Sequence, residues 1–214
     1  MFLIFDLDDT LIDTSGCVTP HALKNALQLL LQGKETVEDF SLLQKINASS
    51  LKTPIALETF SKQKNISTEH LERAIESLKH PLPSDFVVSC TPSAKEILRY
   101  FAARYPLALV TGGHPPFQLE KLEKAGIEVS LFSKIGIPED SVKKPFYDRF
   151  AREIGKKPEQ VWVCGDRIPM DLQPAHELGF NTIHMRWGRG QQMKSEPWID
   201  HSISTLSELR NIIP

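Results

Sequence analysis

The chain opens on an apolar run, Phe2 to Phe5, that stops at Asp6. A run so short, bounded by charge, predicts a buried strand rather than a helix. From about residue 19 to 80 the apolar positions take on a helical period. Thr19-Pro20 reads as a cap followed by proline in the first turn, leading into Ala22, Leu23, Ala26, Leu27 and Leu30. Val37, Phe40, Leu43 and Ile46 recur at helical spacing, as do Leu71, Ile75 and Leu78 after the cap candidate Ser67. Pro81-Leu82-Pro83 closes this block. Beyond it the pattern alternates. Helices are predicted from Thr91-Pro92 and over 116–125, 145–154 and 169–178, the last three stopping at Gly126, Gly155 and Gly179. Strands are predicted over 107–110, 134–137, 161–164 and 181–185.

Strands alternating with helices predict an α/β fold, a Rossmann-like parallel sheet covered on both faces. Several short helices between the first and second strands are too many for a simple crossover. They predict an inserted all-helical domain, residues 14–83, in a catalytic core made of 1–13 and 84–214.

Composition narrows the function classes. The chain has 214 residues, 41% hydrophobic and 24% charged, with a formal net charge of -2. That balance gives no support to bulk nucleic-acid or membrane binding, which would show as a basic excess. No stretch approaches the roughly 20 apolar residues of a membrane span. Cys17, Cys90 and Cys164 are odd in number, far apart and without a histidine beside them, which reads as reduced, buried thiols in a cytoplasmic protein.

In open α/β sheets ligands sit beyond the carboxyl ends of the strands, so the residues after each predicted strand are the candidate site. Asp6 and Asp8 follow the first strand and Thr111-Gly112-Gly113 the second. Lys144-Pro145 opens a helix after the third. Gly165-Asp166 follows the fourth, with Asp171 five positions on. Acids, a hydroxyl, glycine amides and a lysine brought to one spot suit a metal ion and a phosphate. Asp6 can act as a nucleophile and form an aspartyl-phosphate. Asp8 can protonate the leaving alcohol and deprotonate the attacking water. Clustered carboxylates beside a phosphate need a cation, and Mg²⁺ prefers oxygen ligands. Lys144, Thr111 and the amides after it would neutralise and orient phosphoryl oxygens.

Asp6-Leu7-Asp8-Asp9-Thr10-Leu11 resembles the first motif of the haloacid dehalogenase-like hydrolase superfamily. Thr111, Lys144-Pro145 and the run Gly165 to Asp171 resemble its other three motifs, in the same order. The insertion resembles the family's C1-type cap. The resemblance implies Asp6 as nucleophile and Asp8 as general acid/base. It implies Mg²⁺ held by the Asp6 side chain, the Asp8 backbone carbonyl and Asp166, and phosphate bound by Thr111 and the Gly112 amide. Asp171 would lie behind these groups or orient Lys144. Many members carry Asn where this chain has Gly112. Lys143 also neighbours the motif, and Lys144 is chosen because it directly precedes Pro145.

The expected activity is Mg²⁺-dependent hydrolysis of a small phosphorylated metabolite, since a cap that closes would exclude bulk water. A phosphomutase or phosphotransferase would use the same residues, and a metal-free dehalogenase would leave Asp8 and Asp166 without purpose. A phospho-acceptor signalling module would lack the helical insertion. Asp9 is expected to be a bystander, His114 a solvent-exposed loop residue, and His176 and His184 structural. Residues 186–190 are expected to form a solvated loop, and the polar run Lys45 to Lys52 a helix connection that could touch the leaving group.

Overall fold

The computed structural model describes residues 1–214. Six strands form a single parallel sheet: β1 Phe2–Phe5, β2 Leu107–Val110, β3 Lys134–Gly136, β4 Val161–Gly165, β5 Asn181–Met185 and β6 His201–Ile203. Their order is β3-β2-β1-β4-β5-β6, with β1 pairing in parallel with both β2 and β4. β1 is therefore central, and the chain crosses from one side of it to the other between β3 and β4. In open α/β sheets ligands bind at such a reversal, here at the carboxyl ends of β1 and β4. The sixth strand has no sequence prediction behind it. It is three residues long at the sheet edge, and His201 and Ser202 are exposed, so it has no apolar run to announce it.

The central strands are apolar without alternation because helices cover both faces. Phe2 and Ile4 pack with Ala108, Val110, Val161 and Val163 against Tyr147 and Phe150 of a helix over Lys144–Ile154. The helices of the contiguous insert are α1 Thr19–Leu31, α2 Val37–Ser49, α3 Thr53–Lys64 and α4 Thr68–Ser77. They carry a core of their own, in which Leu23, Leu27 and Leu30 meet Leu43, Leu57, Phe60 and Ala74. The chain divides into two compact units, Met1–Ser15 with Pro83–Pro214, and Gly16–Leu82.

The helices after the insert are α5 Ala94–Ala102, α6 Pro115–Lys124, α7 Lys144–Ile154, α8 Gln173–His176 and α9 Leu209–Ile212. Two local expectations change. α2 continues through Ser49, so Lys45, Asn47 and Ser49 are helical rather than part of a connection, and Asn47 is buried. The helix expected over 169–178 is instead a wide helical turn, Ile168–Leu172, followed by α8. Pro174 lacks the N–H that a continuous helix needs at that point.

Candidate active site

Asp6 leaves β1 still in sheet register, its N–H donating to the Cys164 carbonyl at 3.0 Å. The next residues turn tightly, with the amides of Thr10, Leu11 and Ile12 all directed at the Leu7 carbonyl. Asp9 takes a left-handed conformation in that turn, at φ 55°. The turn keeps Asp8 beside Asp6 while Leu7 is fully buried.

Around Asp6 the structure gathers Asp166 and Asp171, whose carboxylate oxygens lie within 4.8 Å of one another and of Asp6. The lysine among them is Lys143. Its ammonium donates to Asp6 Oδ1 at 2.6 Å and to Asp171 Oδ1 at 2.5 Å, and all three side chains are buried. Lys144 is elsewhere. It points to the surface and pairs with Glu177 at 2.7 Å, both about 44% exposed or just under. The choice of Lys144 from its place before Pro145 is thus corrected to Lys143. Asp171 fixes that lysine, and its other oxygen accepts from the Arg167 amide at 2.9 Å. Gly165 makes room for Asp171, because a Cβ there would come within 2.5 Å of the Asp171 Cβ.

The electrostatics follow from burial with too few cations. Burial pushes the Asp6 carboxyl up; Lys143 opposes this, Asp171 and Asp8 add to it, and the result is about 7. Burial likewise pushes Asp166 well above the carboxylate range, reinforced by Asp171, Asp6 and Asp9. Lys143 is held charged, since its two carboxylate partners outweigh the cost of burying it. Three buried acids share one ammonium, so a divalent cation with oxygen ligands fits the deficit. Cys164 is buried here with its thiol pushed up by burial and the neighbouring acids, which leaves it inert.

Asp8 faces a different set of partners. Its Oδ1 accepts from Lys121 Nζ and from Thr14 Oγ1, each at 2.5 Å, and its Oδ2 from Gln118 Nε2 at 3.3 Å. Burial would raise this carboxyl, but Lys121, Thr14 and Gln118 together bring it below the ordinary value. None of these three residues was anticipated from sequence. Thr111 is buried at the end of β2, with its amide on the Gly136 carbonyl at 3.1 Å. Gly112 follows, and a Cβ there would lie 2.7 Å from the Ser141 side chain. The loop before Lys143 therefore leaves no space for the Asn common at this position.

Asp9 is no bystander to the fold. It is buried and accepts from both the amide and the hydroxyl of Ser15. The Arg186 to Gly190 segment is not a free loop either. A Cβ on Gly188 would collide with the Asp9 carboxylate, and one on Gly190 with the Asp166 carbonyl. His184 is buried, with Nε2 3.1 Å from the Asp166 carbonyl oxygen, so it supports the backbone of that acid. His114 is half-buried at the start of α6. His176 stacks on Trp198 with ring centroids 4.7 Å apart.

An acid pair at the end of the central strand, a buried lysine that bridges the first of these acids to Asp171, and Asp166 alongside, all at the strand reversal, define a hydrolase class. A family model described as haloacid dehalogenase-like hydrolase matches residues 2–179, and the chain belongs to that family. It is 30% identical over 122 residues to a glyceraldehyde 3-phosphate phosphatase of Methanocaldococcus jannaschii, spanning 56% of this chain and about half (54%) of that enzyme. It is 25% identical over 223 residues to the enzyme of the same name from Pyrococcus furiosus, covering 99% of this chain and 92% of that one. Among solved structures, a predicted phosphoglycolate phosphatase from Haemophilus somnus superimposes with a TM-score of 0.77 at 19% identity, covering 100% and 97% of the two chains. No helix is long and apolar enough to cross a membrane.

Proposed function

We propose that the protein is a Mg²⁺-dependent phosphatase that hydrolyses a small phosphorylated metabolite through an aspartyl-phosphate on Asp6. The observation that carries this reading is the buried Asp6–Lys143–Asp171 bridge with Asp166 alongside and Asp8 held next to it. Asp6 offers one carboxylate oxygen to Lys143 and keeps the other for phosphorus. Lys143, Thr111 and the Gly112 amide would bind phosphoryl oxygens as charge builds on them. Asp8, ionised beside Lys121 before substrate arrives, would take up a proton as the anionic ester binds, give it to the departing oxygen and later take one from the attacking water. Asp6, Asp166 and the Asp8 carbonyl would hold Mg²⁺, which would supply the positive charge that keeps the acids ionised and neutralises the phosphate. The inserted helices 14–83 would serve as the cap.

Both named relatives are glyceraldehyde 3-phosphate phosphatases, which makes that triose phosphate the first compound to assay. A panel of small phosphate esters should show phosphate release with Mg²⁺ and none after chelation. Release that survives chelation would overturn the metal-dependent reading.

A second measurement does not depend on activity. Mg²⁺ should raise the thermal unfolding midpoint, and by more at pH 8 than at pH 5.5. Asp6 and Asp166 have raised values in the folded chain, so folding takes up protons and metal-free stability falls as pH rises toward and past about 7. Mg²⁺ must displace those protons at pH 5.5 but not at pH 8. A midpoint indifferent to Mg²⁺ at both pH values would count against the site.

A further inference from the structure

Lys121 and Gln118 lie outside every motif read from the sequence, yet they are among the most buried polar residues of the chain, at 3% and 4% exposure. They stand three positions apart on α6, on the face that also carries buried Leu122. Lysine is almost never buried without a partner. Here the partner is the Asp8 carboxylate. Lys121 takes one oxygen at 2.5 Å and Gln118 reaches the other at 3.3 Å, so a single helix holds both. Gln118 also donates to the Gly112 carbonyl at 2.6 Å, which ties the acid to the loop after β2. The Lys121 ammonium lies 5.3 Å from the centre of the Phe117 ring.

We infer that Lys121, with Gln118 beside it, is the positioning residue for Asp8, holding its carboxyl group in the one orientation from which a proton reaches the leaving oxygen. The inference rests on the phosphatase reading above. Asp8 takes up a proton as the anionic ester binds beside it. In the first step the ester P–O bond breaks as the bond from Asp6 to phosphorus forms, and the departing oxygen takes that proton from Asp8. The carboxylate so created already faces the Lys121 ammonium, which stabilises the new charge without rearrangement. In the second step water attacks phosphorus, Asp8 takes the water's proton, and the phosphorus–Asp6 bond breaks to give inorganic phosphate. A carboxyl group can turn about two torsions, and a donor must come within about 2.6–3.2 Å of the accepting atom. A misplacement of about 1 Å can cost ~10²-fold in rate.

The test compares two esters by kcat/KM, which reports the steps up to departure of the leaving group. An alkyl phosphate needs a proton on its departing oxygen, whereas 2,4-dinitrophenyl phosphate does not. Lys121→Met should lose ~10²-fold on the alkyl ester and no more than about threefold on the dinitrophenyl ester. Lys121→Arg, which keeps the charge, should recover part of the loss. In an Asp8→Asn background the same Lys121→Met change should add less than about threefold, because the group it positions is already gone. Gln118→Met, with a smaller loss of the same pattern, carries the test if Lys121→Met does not fold. Equal losses on both esters, or full additivity with Asp8→Asn, would overturn the positioning role alone. A wild-type protein that cleaves neither ester would overturn the phosphatase reading, and the role of Lys121 with it.

Discussion

Asp6→Asn should abolish turnover, lowering kcat on the order of 10⁴-fold or more, the scale seen when a covalent nucleophile is removed. Asn has the shape of Asp but cannot form the acyl phosphate. The measurement is rapid acid quench with a radiolabelled phosphate ester. Wild-type protein should carry label on an acid-stable, hydroxylamine-sensitive linkage, and Asp6→Asn should carry none. The loss should not come from misfolding. The backbone N–H of residue 6 keeps its bond to the Cys164 carbonyl, and the amide oxygen can still accept from Lys143. Because burial and the nearby acids raise the Asp6 carboxyl to about 7, ionising it at pH 8 costs stability in the metal-free protein. Metal-free Asp6→Asn should therefore unfold at or above the wild-type midpoint at pH 8. Residual turnover near the wild-type rate would remove Asp6 as nucleophile and the aspartyl-phosphate with it.

The residues readable from sequence share one property: they sit at the ends of apolar runs. Asp6, Thr111 and Asp166 each follow a strand, and a parallel sheet brings such ends together whatever the loops do. Asp171 was readable through its distance from Asp166. Other residues depend on tertiary geometry that local pattern does not carry. Lys143 and Lys144 are adjacent and chemically identical, and the proline signal places the helix start without saying which lysine turns inward. The loop before it decides, with Ser141 at φ 66° packed against Gly112. Gln118 and Lys121 were hidden because polar residues on a helix read as its solvent face. Their signal was the spacing of three beside Leu122, which puts all of them on the buried side. Asp9 stays outside the candidate chemistry, and its part in the fold, the bonds to Ser15, rests on a turn with a positive φ at that residue that no strand pattern announces.

The two neighbouring lysines give a sharp contrast. Lys143→Met should lower kcat/KM by ~10³-fold, because the charge that faces the phosphoryl group is removed from a water-poor site where it is worth most. Lys144→Ala should stay within about twofold of wild type, since an exposed ion pair such as the one with Glu177 contributes roughly 0–1 kcal/mol. Stability should separate them too. Lys143 is the cation between Asp6 and Asp171, and stripping one partner from a buried ionic group costs about 3–5 kcal/mol. Part of that cost should return when Mg²⁺ is added, because a cation held by Asp6 and Asp166 again offsets the uncompensated acids. Chemical denaturation with and without Mg²⁺, run beside the kinetic assay, reads both effects in one protein. Loss of activity in Lys144→Ala with Lys143→Met unimpaired would place the phosphate-facing charge on the wrong residue and undo the geometry proposed for the site.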